Sequence, residues 1–134
     1  MLTFTDRQLA SFTAPDDTKA VQHIRNAVIR KHARAVARMS DAELSDAISI
    51  GVQRARAYSL RQIDSLMVFV LLMLEVAPGF DRETSIAAHL AAAIGHDADQ
   101  AALTLSTVIT PDAWRIAATF TDPSEWTRTT RAEP

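Results

Sequence analysis

Apolar residues recur at helical spacing along most of the chain, and one stretch departs from that pattern. From Leu66 to Leu74 there is no polar side chain. The run is far shorter than the ~20 apolar residues needed to cross a bilayer. A helix apolar on every side is expected to be enclosed by other protein. The pattern therefore predicts a central helix over 60–76, stopped at Ala77-Pro78-Gly79. Ser59 and Gln62 read as its capping box and Tyr58 and Ile63 as its hydrophobic staple, which leaves a very short turn before it.

The preceding helix starts at a second box, Ser40 to Glu43, and repeats Leu44, Ile48, Gly51/Val52 and Ala55 on one face. Asp46, Ser49, Gln53 and Arg56 fall on the other. Gly51 costs such a helix about 1 kcal/mol relative to Ala. Its place on the apolar face suits close approach of a neighbouring helix. Further upstream, Thr5 with Gln8, and Phe4 with Leu9, predict a short helix over 6–12. Ala14-Pro15-Asp16-Asp17 punctuates the chain, and a second helix is expected from 16 to the mid-30s with Val21, Ile24, Val28 and Ala35 inward. Its outer side carries Arg25, Arg30, Lys31, Arg34 and Arg38, of which Arg30, Arg34 and Arg38 form a four-residue stripe.

Downstream, Ile86, Leu90 and Ile94 predict a helix over 82–94 ending at Gly95. Asp97 with Gln100 begins another, with Ala98, Ala101/Ala102, Leu105 and Val108/Ile109 as its face. Thr110-Pro111 starts a last short helix anchored by Trp114, Ala117 and Ala118. The expected fold is all-α, a single-domain helical bundle of about six helices over residues 1–120. A polar tail follows over 121–134, with Trp126 its one large apolar group.

Composition agrees with helices: only 3 Gly and 5 Pro among 134 residues. The absence of Cys excludes disulfides, thiol catalysis and Cys-ligated zinc. The first residues lack the basic segment and apolar run of a secretory signal, so a cytoplasmic protein is expected. The net charge of −2 is unevenly spread. Residues 1–62 hold 10 Lys/Arg against 6 Asp/Glu, and residues 63–134 hold 4 against 10. Complementary packing within the domain is the first expectation from this, separate partner surfaces the second.

Chemistry is harder to place. His89, His96, Asp97 and Asp99 are close in sequence, but the two His lie on opposite sides of Gly95 and no helical His-x-x-x-His pair exists. They read as surface and capping residues, with no metal or other cofactor expected. Asp64 and Glu75 are about 16 Å apart along a helix axis, too far for a catalytic carboxylate pair. No nucleophile elbow or phosphate loop occurs. No catalytic residue is assigned and no enzyme is expected. The Arg30/Arg34/Arg38 stripe is a secondary candidate surface. Duplex recognition would need a polar second helix after the turn, where this chain has its most apolar segment.

On the central helix, Arg61, Asp64, Val68, Leu71 and Glu75 share one stripe, polar at both ends and apolar in the middle. This side should lie nearest solvent. Either another element of the domain covers Val68 and Leu71, or the stripe contacts another protein.

A motif runs through the same region: Gly51-Val52-x-Arg54-Ala55-x-x-Tyr58-x-Leu60, then Phe69-Val70-x-Leu72-Met73, then Pro78-x-Phe80-Asp81. It resembles a family of small helical proteins encoded in bacterial type VI secretion neighbourhoods, beside spike, tip or effector genes. The family pattern has polar residues near positions 63, 65, 68 and 71, where this chain has Ile63, Ser65, Val68 and Leu71. The resemblance implies no activity. It implies an accessory role in loading or protecting a secreted toxin, with another protein as partner. That no membrane is expected follows from the length of the apolar run and its lack of a polar face. A polar junction between helix end and loop is the expected role of Arg54, Tyr58 and Asp81. An immunity protein that blocks a toxin is the alternative, and a DNA-binding regulator using helix 25–38 is the alternative of another class. Self-association stays open.

Overall fold

The computed structural model describes the backbone of residues 6–122, and side chains from Asp17 onward. It is all-helical, with no strand among the described residues. Seven α-helices are described: α1 (Asp6–Lys31), α2 (Asp41–Ala57), α3 (Ile63–Glu75), α4 (Thr84–Ala92), α5 (Ala98–Leu103), α6 (Leu105–Val108) and α7 (Pro111–Ala117). Short 3-10 turns at Ala33–Val36 and Phe80–Arg82 link the larger pieces.

Helix α1 runs straight through the expected boundary at Pro15. Proline removes one N–H from the ladder, but its fixed φ near −65° is compatible with a helix, so a lone proline need not end one. The box at Thr5 and staple at Phe4 lie outside the described residues. At its other end α1 stops at Lys31, and Arg34 belongs to the following 3-10 turn. The Arg30, Arg34 and Arg38 side chains are all exposed, yet they do not share one helix face.

Helix α2 begins as the sequence predicts. Ser40 Oγ accepts from Glu43 N–H at 3.1 Å, and Glu43 Oε1 accepts from Ser40 N–H at 2.9 Å. It runs opposite to α1, joined by Arg56–Asp17 at 2.7 Å and Arg25–Asp41 at 3.2 Å. Leu44, Ile48, Gly51, Val52 and Ala55 are buried. A Cβ built on Gly51 would stand 2.9 Å from Val70 Cγ2 and 3.0 Å from Met73 Sδ. Close approach of α3 is thus the reason for that glycine.

The turn between α2 and α3 differs from the expectation. Ser59 is not an N-cap; it adopts φ 71°. Its N–H donates to Arg56 O at 2.8 Å while Leu60 N–H donates to Ala55 O at 3.1 Å. These are the two bonds of a Schellman motif, which closes α2 and places its characteristic apolar contact between buried Leu60 and Ala55. Gln62 is the residue before α3, and its side chain makes no cap bond. The Tyr58 ring packs instead on Phe69, 5.8 Å between centroids.

Around α3 the core is continuous: Ile24 and Val28 from α1, Ile48 and Val52 from α2, Phe80, Ile86, Leu90 and Leu105. Gly79 N–H donates to Phe120 O at 3.0 Å, so the end of α7 returns to the breaker after α3. Three expected core positions fall outside the core. Ile94 is 44% exposed, because α4 ends at Ala92 and leaves it in the turn before Gly95. Val108 is 51% exposed, with Ile109 buried in its place. There Thr104 Oγ1 bonds Gln100 O at 3.0 Å and splits the expected helix into α5 and α6. Ala118 is exposed, whereas Ala113 and Ala117 are buried.

Candidate functional site

The central helix is not enclosed on all sides. Ser65, Leu66, Phe69, Val70 and Met73 form its buried face. Opposite them, Arg61 just before the helix and Asp64 and Glu75 within it are exposed, while Val68 and Leu71 are half-buried. The predicted stripe is therefore the solvent-side face. Leu71 packs at the margin of the core, as do Met67, Leu72 and Leu74. Glu75 Oε2 lies 3.2 Å from His32 Nδ1, tying the far end of the stripe to the end of α1.

The near end is fixed by a residue that the sequence pattern groups with the surface and capping residues around Gly95. Asp99, in the first turn of α5, accepts Arg61 N–H at 2.8 Å and Gln62 N–H at 3.0 Å through Oδ1. The same oxygen accepts from the Ser65 hydroxyl. Amides at the entry to α3, which have no partner within that helix, are thus capped from another helix. Burial works to raise the Asp99 carboxyl. The Ser65 hydroxyl, the Gln62 and Arg61 N–H groups and the Arg61 charge outweigh it and hold the group below its ordinary 3.8.

Arg54, Tyr58 and Asp81 come together as a buried polar junction. The Arg54 side chain is fully buried and Asp81 is 2% exposed, and their charged groups pair directly. Arg54 Nη1 donates to Pro78 O at 2.7 Å, and the Tyr58 hydroxyl donates to Asp81 Oδ2 at 2.9 Å. The guanidinium lies 5.7 Å from the centre of the Phe69 ring, which meets Phe80 edge-on at 5.0 Å. Arg54 and Asp81 are enclosed by the fold, and Tyr58 is half-buried beside them. The three residues join the end of α2 to the loop after α3.

Two open depressions flank the α3 region, and neither follows from spacing along one helix. A groove of about 740 Å³ has Ala35, Met39, Ala47, Ile50 and Leu74 as apolar lining, with Arg38, Glu43 and Asp46 at its charged margin. A hollow of about 510 Å³ lies between α1 and the start of α3, with Lys19, His23, Arg56 and Arg61 around Ala20, Ile63 and Leu66. Lys19 and His23 are four apart, which periodicity could have shown. Arg56 and Arg61 join them only through the antiparallel packing of α1 on α2.

The histidines near Gly95 turn to backbone carbonyls, His89 to one on α5 and His96 to one at the end of α4. His89 Nε2 lies 3.1 Å from Ala101 O, and His96 Nε2 lies 2.9 Å from Ala92 O. No described helix is long and apolar enough to cross a membrane. Compared with known proteins, the chain matches no family model, no curated protein and no solved structure, so the resemblance rests on its motif residues alone.

Proposed function

We propose that this chain is a protein-binding accessory factor, acting as an adaptor or chaperone for an effector of a bacterial type VI secretion system. The observation that carries the reading is the outer face of α3. The most apolar helix of the chain leaves Val68 and Leu71 half-buried between the charged residues Asp64 and Glu75. An apolar centre with a charged rim is the usual anatomy of a protein contact. The link to secretion rests on the motif through Gly51, Arg54, Tyr58, Pro78, Phe80 and Asp81. The three polar members of that motif meet in one buried junction.

Val68→Asp tests the contact, because a half-buried surface position tolerates a charge in the free protein while a closed interface does not. The chain is co-expressed with the products of the genes flanking its own, and complexes are isolated in wild-type and variant form. The expected result is a complex with the effector or spike component that Val68→Asp abolishes, with the helical content and melting temperature of the free chain retained. A complex that survives Val68→Asp, or a variant that no longer folds, would place Val68 outside any interface.

A further inference from the structure

We infer that the hollow between α1 and the start of α3 is a recognition site for an acidic, amphipathic segment of the partner protein. The inference deepens the proposed function and rests on it for the identity of the partner. Lys19 and His23 project from successive turns of α1, and Arg56 and Arg61 come from the end of α2 and the turn beyond it. The hollow thus collects four basic side chains from three places in the chain.

Two carboxylates already sit near them, Asp99 at the Arg61 backbone N–H and Asp17 at Arg56. Asp17 meets Arg56 through Nε at 2.8 Å and Nη2 at 2.7 Å. Among the described residues, the Lys19, His23 and Arg61 side chains form no ion pair, and Lys19, His23 and Arg61 are exposed. The positive charge left over belongs to the basic half of the chain. Packing consumes only part of that excess: Arg54 pairs with Asp81 of the acidic half, whereas Arg25–Asp41 and Arg56–Asp17 are both internal to residues 1–62.

Two features favour spaced carboxylates over a single phosphate. Phosphate sites draw on convergent backbone N–H groups at helix starts and turns. Here the N–H groups of Arg61 and Gln62, at the entry to α3, are already bonded to Asp99. The basic side chains also surround an apolar lining of Ala20, Ile63 and Leu66 in a space of about 510 Å³. That lining suits an apolar side chain between two acids. Arg61 is shared with the α3 stripe, so a segment seated here continues onto the proposed contact face.

The test uses the full chain and a fluorescein-labelled helical peptide with glutamate and leucine at alternate three- and four-residue spacing. A second peptide carries glutamine in place of every glutamate, and inorganic phosphate is the competitor. Anisotropy should show binding of the glutamate peptide alone, weakened by raising salt from 50 to 300 mM and undisturbed by millimolar phosphate. The doubly reversed variant Lys19→Glu/Arg61→Glu should bind it about tenfold or more weakly, since each attraction becomes a repulsion. Lys19→Ala/Arg61→Ala should fall between, and all variants should keep the wild-type helical signal because both side chains are exposed. Equal binding of the two peptides, or of wild type and the reversed variant, would overturn the inference, and competition by phosphate would replace it with a phosphate site. Should the reversed variant still capture the flanking gene product at wild-type affinity, the hollow is excluded while the proposed function stands. Loss of peptide binding in the reversed variant, with no flanking gene product captured by wild type, leaves the hollow standing and removes that function.

Discussion

Replacing Gly51 by alanine sets two effects of known sign against each other. In an exposed helix interior the change stabilises by about 1 kcal/mol through helix propensity. Here the new methyl would stand 2.9 Å from Val70 Cγ2 and 3.0 Å from Met73 Sδ, closer than carbon and sulfur atoms tolerate. Met73 has rotatable bonds, but Val70 is β-branched with essentially one rotamer in a helix. Both are 1% exposed, so neither can move out into solvent. Overpacking of a filled core costs about 1–3 kcal/mol, and with this contact at the tight end we expect about 2–3. The net is a loss of about 1–2 kcal/mol, or roughly 4–8 °C in melting temperature for a chain of this size. Urea denaturation followed by circular dichroism measures it. The double variant Gly51→Ala/Val70→Ala should show a favourable coupling of about 1 kcal/mol or more, as the new methyl takes part of the space vacated. A Gly51→Ala variant as stable as wild type, or more so, would refute the account of why α2 and α3 pack so closely.

Three further outcomes follow from the same geometry. Ser59→Gly should stabilise by about 0.5–1 kcal/mol in chemical denaturation, because φ 71° is left-handed and glycine adopts it without strain; were Ser59 an N-cap, the same change would give no gain. Asp99→Ala should cost about 1–2 kcal/mol at neutral pH by removing the acceptor of three bonds. Because the folded Asp99 lies below 3.8, the unfolded chain binds the proton first, so the wild-type advantage is full above about pH 4 and fades as pH falls through the folded value; melting curves across that range should converge for the two proteins. Asp81→Ala should cost about 3–5 kcal/mol by leaving Arg54 charged and enclosed, whereas Tyr58→Phe should cost about 1–2, a ranking that thermal unfolding can check.

Much of this fold was legible along the chain because its signals are local. The Ser40 box, the Pro78-Gly79 stop, the Thr110-Pro111 start and the spacing of Leu44, Ile48, Val52 and Ala55 each involve residues within a turn or two of one another. So does the prediction that Asp64, Val68, Leu71 and Glu75 face outward, since a helix fixes which residues share a side. Local signals also misled where two structures compete for the same residues. Ser59 followed by Gln62 spells an N-cap, but the Schellman bonds of α2 claim Ser59 first. Pro15 spells a boundary, but its φ suits the helix it interrupts.

What tertiary structure alone decided is which distant residues meet. Asp99 caps α3 across 34 residues from Ser65, and Asp81 neutralises Arg54 across 27. The four basic side chains of the hollow lie between Lys19 and Arg61 and converge only because α1 and α2 run antiparallel and α3 turns back beside α1. The apolar run from Leu66 to Leu74 specified a core helix, and packing determined that one face of it would stay partly open. Periodicity assigns a side to each residue. It carries no information on how many neighbours remain to cover that side, because that depends on the lengths and directions of helices elsewhere in the chain.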